Sequence, residues 1–472
     1  MSDAITPKVK AVENMVQRAR GATRDPRSPA CPVCHIPMWI SLFFDGTGNH
    51  RDKDFPVKHS NVAALLDAHI NEPDNGIIPL YYEGLGRQFS FKERYEEVKV
   101  HTRNGLTTVK REGHEESDDR VMGLAFADGI SARLEKAIFD VTDQIQRVRG
   151  MQRVDEINIA AFGFSRGATE ARAFVHWLAA HSKVKVQGAK LSFDGIPLNI
   201  KFLGIFDTVE SVGWAGANEM PDVIKTTVPP FVQKCCHIVA AHELRHAFPL
   251  TVVEGNHRCV VYPGAHANVG GGYAPNEQGR SNSLARVALL QMLDEARGAG
   301  LKMMSLSEMQ ASDDWKKIHK PSFDIPLETV SSLNNYLASV NPSGTLPQHF
   351  EAHMKPYWAW IDSGLAMQDI QSKKAAFSND AQRKDEFRRM EFILRYEART
   401  SQGRGQNDTP FDEPISFKAS TKVSPPAEPV ASFFKTYVHD SFEHFSMTGG
   451  TLQKDFSDAN YYHLRETRQP AG

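Results

Sequence analysis

The chain has 472 residues, 41% of them hydrophobic, so it can bury a large core within one elaborate domain or several. Its formal net charge of −2, with no long run of Lys and Arg, argues against a nucleic-acid-binding protein. Five cysteines are too few for a disulfide framework in a chain of this length, and no apolar run is long enough to span a bilayer.

The first half of the chain is predicted to alternate strands and helices after a polar leader. Residues 1–36 are basic and rich in proline, and we interpret them as a flexible N-terminal arm. They contain no apolar segment typical of a secretory signal, so we expect synthesis in the reducing cytoplasm. The predicted elements that follow are a strand at 38–44, a helix at 61–70, a charged surface excursion at 87–119, an amphipathic helix at 121–148, a strand at 157–162 and a helix at 169–180.

The second half continues this alternation and then becomes mainly helical. Its predicted elements are a strand at 200–206, a helix at 232–248, a strand at 258–262, a helix at 282–297 and a charged helix at 370–399, then a linker near 401–429 and an aromatic segment at 433–445. Alternating strands and helices predict an α/β fold over residues 37–300, with a mostly parallel, α/β-hydrolase-like sheet and helices on both faces. Residues 301–472 are predicted as a mainly helical C-terminal extension.

A G-x-S-x-G pentad occupies residues 163–167, between a predicted strand and a predicted helix. That context is typical of a nucleophile elbow, in which the serine sits on a sharp turn. Gly163 and Gly167 would let strand and helix approach without a side-chain clash. Ser165 would then lie at a helix N-terminus, where peptide dipoles favour negative charge. We therefore interpret Ser165 as a candidate nucleophile.

Two other predicted strands end in residues that would complete an acyl-transfer site. Asp207 follows the strand at 200–206, and His266 follows the strand at 258–262. The order Ser, Asp, His is that of the α/β-hydrolases, and the carboxyl ends of parallel strands meet at one edge of a sheet. His266 is predicted to take the proton of Ser165, and Asp207 to hold the imidazole.

Backbone N–H groups are predicted to form the oxyanion hole of this site. One belongs to Arg166, directly after the candidate nucleophile. The other comes from the loop of Gly46 and Thr47, which follows an early strand.

A competing motif, His-Glu-Leu-Arg-His at residues 242–246, predicts a different chemistry. On a helix, this H-E-x-x-H spacing would put His242 and His246 on one face, able to hold zinc with Glu243 as the base. The alternative function is therefore a zinc metallohydrolase. The motif is short and arises by chance in ordinary helices, and the simpler interpretation is a partly solvated helix packed on the sheet.

Four blocks of sequence together resemble one known family: FFDGTGN (43–49), GFSRGA (163–168), FLGIFDTVESVG (202–213) and YPGAHANVGGGY (262–273). In this order they are similar to the lipases typified by the phospholipase effectors of bacterial type VI secretion. The resemblance covers residues 38–300. It implies an α/β-hydrolase fold and a catalytic triad at Ser165, Asp207 and His266.

The resemblance also implies a biological setting. The expected activity is hydrolysis of glycerophospholipid esters at the A1 or A2 position, without a cofactor or bound metal. The expected partners are a phospholipid membrane surface, a spike or tube component of the secretion machinery, and a cognate immunity protein. The expected place of action is the periplasm of a rival cell, where the chain would act as an antibacterial toxin.

Some assignments stay open at this stage. The family usually carries Asp where this chain has Asn268, and the tail holds a second candidate base, His439. Calcium dependence is also open, since Asp45 and Asp207 could hold an ion. A soluble-ester carboxylesterase and a binding protein on an inactive hydrolase scaffold are further alternatives. The candidate membrane-facing residues, which could equally pack between domains, are Trp214, residues 228–231 and residues 357–361.

Overall fold

The structure is a computed structural model. It describes residues 35–86, 124–210, 224–245, 248–377, 379–401, 423–441, 461–462 and 464–472, together with 4–5, 14–15, 17–18, 89–90, 94–102, 105–113 and 116–117. Trp214, His246 and most of the predicted linker lie outside the described residues.

Fifteen strands are described, and most of them join one central sheet. They are β1 (Ala4–Ile5), β2 (His35–Phe44), β3 (Ile77–Tyr82), β4 (Phe89–Ser90), β5 (Arg94–Thr102), β6 (Gly105–Gly113), β7 (Glu116–Ser117), β8 (Arg153–Phe164), β9 (Val184–Gln187), β10 (Lys190–Phe193), β11 (Ile196–Phe206), β12 (Cys235–Ala240), β13 (Leu250–Thr251), β14 (Arg258–Tyr262) and β15 (Thr467–Arg468).

The central sheet has nine strands, of which seven run in the order β1-β14-β12-β11-β8-β2-β3 and pair in parallel. The hairpin of β9 and β10 joins the side of β11 by antiparallel pairing. Chain order reverses at β2, because β3 lies on one side of it and β8 on the other. Ligand sites of open α/β sheets form beyond the strand ends at such a reversal.

Thirteen α-helices are described. They are α1 (Arg51–Asp54), α2 (Asn61–Asp67), α3 (Leu124–Met151), α4 (Arg166–Ala180), α5 (His266–Gly270), α6 (Leu284–Gly298), α7 (Leu306–Ala311), α8 (Lys320–Phe323), α9 (Leu327–Val340), α10 (Leu346–Asp362), α11 (Leu365–Ala376), α12 (Ala381–Ser401) and α13 (Glu428–Tyr437). Within the described part of the chain, none is long and apolar enough to cross a membrane.

Two hydrophobic clusters cover the two faces of the sheet. Alternate residues of β8 divide between them: Ile159 and Ala161 belong to one, and Ala160 and Phe162 to the other. Helices α3 and α4 pack on the first face, and α2 and α6 on the second. The predicted α/β fold, with helices on both faces of a mostly parallel sheet, is confirmed.

The C-terminal helices share the core of the second face. Its cluster extends without a break from sheet residues such as Phe43 to Trp360 and Phe434 of α10 and α13. The C-terminal region is mainly helical, as predicted. It is packed onto the α/β domain by apolar contacts that cross the predicted boundary at residue 300.

Three sequence predictions differ from the structure. The predicted helix at 232–248 is wrong, because its centre is β12, whose six residues are all buried. The charged helix predicted at 370–399 is two helices, α11 and α12. Described residues of the predicted flexible arm contact the core: β1 pairs with β14, and Met15 is buried.

Candidate active site

Ser165 occupies a sharp turn between β8 and α4. Its backbone angles are φ 59° and ψ −123°, a conformation that costs energy for any residue with a Cβ. The turn is tight enough to exclude side chains at its glycines: a Cβ on Gly163 would lie 2.2 Å from the Gly167 carbonyl oxygen. A Cβ on Gly167 would lie 2.3 Å from the carbonyl oxygens of Phe44 and Asp45. The strand–turn–helix context predicted for the pentad is therefore present.

Asp207 follows β11, the strand next to β8, and its carboxylate is fully buried. Its backbone N–H donates to the Ile238 carbonyl (2.8 Å), which extends the pairing with β12 past the strand end. Oδ1 accepts from the Ala240 N–H at 2.8 Å. Oδ2 lies 2.5 Å from Nδ1 of His266.

His266 begins α5, four residues after β14. Its Nε2 is buried and has no hydrogen-bond partner among the described residues. The ring packs against Phe164 at 4.5 Å between centroids and against Phe248 at 5.1 Å. Gly270 permits this approach, since a Cβ there would lie 2.0 Å from the Phe164 ring. The three strand ends that the sequence singled out thus place Ser165, Asp207 and His266 at one edge of the sheet.

Burial of His266 favours a neutral imidazole, and the charges around Asp207 favour an ionised carboxylate beside it. Burial lowers the pKa of His266, and the contact with Asp207 only partly offsets that effect. Burial alone would raise the pKa of Asp207, but the Arg465 guanidinium and the contact with His266 hold it well below its usual range. An unprotonated imidazole is the form that can accept a proton.

Arg465 is a residue of this site that sequence reasoning missed. Its Nη1 and Nη2 lie 2.5 and 2.9 Å from the two oxygens of Asp207. The same nitrogens also donate to the carbonyls of Ala240 (3.0 Å) and Phe248 (3.2 Å). No sequence signal could have found this contact, because Arg465 is 258 positions away and lies in a polar tail without a motif.

The competing H-E-x-x-H motif has a different geometry from the one predicted. His242 and Glu243 lie on the loop after β12, not on a helix. His242 Nδ1 accepts from the Gly264 N–H (2.8 Å), and Nε2 contacts the His353 carbonyl (3.2 Å). These contacts brace the turn before His266.

Glu243, the would-be base of that zinc site, is buried in an ion pair. Arg245 Nε lies 2.7 Å from its Oε1, and Oε2 accepts from the His266 N–H at 3.2 Å. Among the described residues, no group of three or more His, Cys, Asp or Glu side chains is arranged to hold a metal. The motif therefore supports the loop that carries His266.

His439, the second candidate base, contacts Asn268 rather than an acid. Its Nδ1 lies 2.9 Å from Asn268 Nδ2, and its N–H donates to Asn268 Oδ1 at 3.0 Å. Its ring stacks on Tyr273 with centroids 3.9 Å apart. Asn268 also donates to the Tyr437 carbonyl at 3.0 Å. The asparagine that replaces the family's usual Asp therefore joins the tail to α5.

The candidate oxyanion donors differ in availability. The Gly46 N–H donates to the carboxylate of Asp45 at 2.7 Å, so it is engaged. The Thr47 hydroxyl is buried without a partner in the described part of the chain. Arg166 begins α4 immediately after Ser165, so its backbone N–H belongs to the first turn of that helix.

The carboxylates that left calcium binding open are held by donors of the protein. Asp45 accepts from the Gly46 N–H and from the Tyr81 hydroxyl, at 2.7 and 2.6 Å. Asp207 is bound by Arg465, His266 and the Ala240 N–H. Both carboxylates are almost completely buried.

The aromatic segment at 357–361 is not a membrane-facing surface. Tyr357, Trp360 and Ile361 are buried in the core, and Trp358 Nε1 donates to the Tyr461 carbonyl at 2.8 Å. At 228–231, Val228 and Phe231 are partly buried and pack against the core of the first face. Val228 and Phe231 therefore take part in core packing while each stays partly exposed, and Pro230 is exposed.

Comparisons with solved structures identify two chains that are similar to this one. One solved structure, an uncharacterized protein from Pseudomonas aeruginosa, is 18% identical over 98% of this chain and 81% of that chain, with a TM-score of 0.56, and shares the fold. Another, the Tle1 effector bound to the VgrG spike from the type VI secretion system, is 16% identical over 68% of this chain and 84% of that chain, with a TM-score of 0.42. Curated protein sequences include no match to the chain.

A family model gives the decisive match. The model describes the catalytic domain of Tle1-like phospholipase effectors of the type VI secretion system, and it matches residues 39–191 and 179–295. The two matches together span more than half of the 472-residue chain and contain all three strand-end residues. The chain belongs to the Tle1-like phospholipase effector family of the type VI secretion system.

Proposed function

We propose that this protein is a serine-dependent phospholipase that hydrolyses an ester bond of glycerophospholipids at the A1 or A2 position. Ser165 acts as the nucleophile, His266 as the general base and Asp207 as the acid that orients the imidazole. Membership of a phospholipase family supports the substrate class. The site geometry supports the serine mechanism.

The observation that carries the mechanism is the 2.5 Å contact between His266 Nδ1 and Asp207 Oδ2. An ionised carboxylate at Nδ1 fixes the tautomer with the proton on that nitrogen and leaves Nε2 as the acceptor. That Nε2 is buried and without a partner among the described residues, which suits a nitrogen whose partner is a reacting hydroxyl. The Nδ1 of His439 faces the Asn268 amide instead of a carboxylate.

The reaction follows from these roles. Ser165 Oγ attacks the ester carbonyl carbon as His266 Nε2 takes its proton, and the ester C–O bond then breaks. His266 returns the proton to the departing alcohol oxygen, which leaves a lysophospholipid and an acylated Ser165. Water, deprotonated by His266, attacks the acyl carbon, releases the fatty acid and restores the serine.

The backbone N–H groups of Arg166 and Thr47 stabilise the oxyanion in both steps. Gly46, the third candidate, has a different role. Its N–H is held by the Asp45 carboxylate, and this bond supports the shape of the loop.

The setting of this activity follows from the family. The substrate is presented by a phospholipid membrane in the periplasm of a rival cell. A spike or tube component carries the protein there, in the way that the Tle1 effector is bound to the VgrG spike in its solved complex. A cognate immunity protein protects the producer.

Labelling with a fluorophosphonate, which reacts with activated serines, tests the mechanism. We expect one covalent adduct at Ser165 in the wild type, insensitive to chelators. Ser165→Ala should lose the adduct and about 10³-fold or more of phospholipid hydrolysis while keeping its unfolding midpoint. His266→Ala should lose labelling as well, whereas a folded His439→Ala should retain it.

Two results would contradict the proposal. One is a wild type that is not labelled but loses hydrolysis with chelator and recovers it with zinc. The other is a variant pair in which only His439→Ala is inactive. Phospholipids with distinct acyl chains at the two positions identify which ester is cut.

A further inference from the structure

The last nine residues form a segment that docks against the active-site end of the sheet. We call residues 464–472 the C-terminal strap. Strand β15 pairs in parallel with β13, and the Leu250 and Val252 N–H groups donate to the Glu466 and Arg468 carbonyls at 2.8 and 2.9 Å. Further on, the Ala471 N–H donates to the Thr226 hydroxyl at 2.8 Å. The strap is therefore held at two places, on β13 and at Thr226.

We propose that Arg465 is a positioning residue for the Asp207–His266 pair, and that the C-terminal strap thereby completes the active site. The inference rests on the proposed serine-hydrolase function. Its support is independent of sequence motifs: a side chain 1% exposed, two nitrogens on two carboxylate oxygens, and two backbone carbonyls that fix the guanidinium.

The geometry explains why an arginine is required. A guanidinium that binds both carboxylate oxygens fixes the plane of the carboxylate, so Oδ2 stays directed at His266 Nδ1. The carbonyls of Ala240 and Phe248 fix the guanidinium in turn. A lysine ammonium could supply the charge but could not hold both oxygens in one plane.

The charge of Arg465 also controls how tightly the Asp207–His266 pair binds a proton. Removing it leaves a net negative charge beside the imidazole, so a proton is held more tightly whether it resides on Asp207 or on His266. Other titratable groups interact with the pair and remain unchanged. These groups are Glu243, Arg245, His237 and Cys259. Arg172 acts on His237, and Tyr273 interacts with Arg245 and Glu243.

The test compares Arg465→Gln and Arg465→Lys in the full-length protein. Initial rates of phospholipid hydrolysis are measured as kcat and KM from pH 5 to 9. For Arg465→Gln we expect the acid limb of kcat/KM to move up by about one pH unit, with a fall in plateau kcat of about tenfold and little change in KM. For Arg465→Lys we expect the acid limb of kcat/KM to lie close to that of the wild type. Its plateau kcat should lie between those of Arg465→Gln and the wild type.

Arg280→Gln serves as the matched control, since it removes another buried arginine, 3.3 Å from Asp369. The stability of Arg280→Gln shows the effect of losing a buried ion pair. The acid limb of its kcat/KM profile should coincide with that of the wild type. Two results would overturn the inference. One is an acid limb of kcat/KM in Arg465→Gln that coincides with that of the wild type. The other is an acid limb in Arg465→Lys that is displaced as far as in Arg465→Gln. If Arg465→Gln does not fold, the plateau kcat of Arg465→Lys decides the question. A plateau equal to that of the wild type would overturn the positioning role, and a reduced plateau would support it. An inactive, unlabelled wild type would instead contradict the proposed function.

Discussion

Two buried aspartates at the strand ends show how neighbouring charge decides ionisation. Asp207 has an arginine on both oxygens, which holds its pKa well below the usual range. Asp45 accepts hydrogen bonds from Gly46 and Tyr81 but has no ion pair with a cation among the described residues. Burial outweighs those hydrogen bonds and raises the pKa of Asp45 to about 6. Hydrogen-bond donors alone therefore do not repay the desolvation of a carboxylate here.

The pKa of Asp45 predicts a distinct pH dependence of stability. Its folded-state pKa of about 6 exceeds the usual 3.8, so the folded protein binds the proton more tightly than the unfolded chain. Stability from Asp45 is thus fully present below about pH 4 and is lost as pH rises through 6. Relative to Asp45→Asn, the wild type should lose roughly 2–3 kcal/mol of unfolding free energy across that window.

Urea denaturation of both proteins at pH 4, 5, 6 and 7 measures this difference. Comparison with Asp45→Asn cancels the contributions of other titrating groups. The raised pKa of Asp45 would be contradicted if the difference in unfolding free energy between the two proteins stayed constant from pH 4 to 6. It would also be contradicted if the wild type became relatively more stable over that range.

At the scale of elements, the elbow depends on how closely β8, α4 and β2 approach. Gly167 lies against the carbonyl oxygens of Phe44 and Asp45, so a methyl group there must displace backbone of the neighbouring strand. We expect Gly167→Ala to cost about 2–3 kcal/mol of unfolding free energy and to reduce fluorophosphonate labelling of Ser165.

Gly150→Ala is the matched control for that substitution. Gly150 lies near the end of α3, and a methyl group on it would meet nothing within 4 Å, so alanine should stabilise the helix by about 0.5–1 kcal/mol. Thermal and urea unfolding compare the two variants. Equal stability of both would mean that the strand and helix do not approach as closely as described.

The elements that sequence could predict are those whose pattern is local. Strand β14 begins and ends at the predicted residues, and the strands before Ser165 and Asp207 extend the predicted runs by a few residues. Strand β12 was misread because all six of its residues are buried between neighbouring strands, and a continuous apolar run has no period of two. The same misreading put His242 and Glu243 on a helix.

Contacts between distant segments lay beyond sequence reasoning for a different reason. The triad candidates could be predicted because strand ends of a parallel sheet converge by topology. Arg465 reaches Asp207 only because β15 docks on β13, two short strands without a hydrophobic pattern. Asn268 likewise was visible as a departure from the family pattern, but its bonds to the tail depend on the packing of α13.

At the scale of the whole molecule, polar bridges secure the C-terminal region beside the active site. Gln278 exchanges two hydrogen bonds with the backbone of Asp440, at 2.7 and 2.8 Å. Asn268 binds the backbone of Tyr437 and His439 from within α5, two residues after His266. The tail that carries His439 is thus attached to the helix that carries His266.

Asn268→Asp, which restores the residue usual in the family, tests that attachment. A carboxylate cannot donate to the Tyr437 carbonyl, so a buried acceptor would face another acceptor. We expect a loss of about 1–3 kcal/mol of unfolding free energy at pH 8 and faster proteolysis within residues 423–441. The loss should shrink as pH falls, because a protonated carboxyl can donate again. Asn341→Asp, at the exposed left-handed C-cap of α9, should cost no more than about 1 kcal/mol. If Asn268→Asp matched that control at every pH, the bridge would not contribute to holding the two regions together.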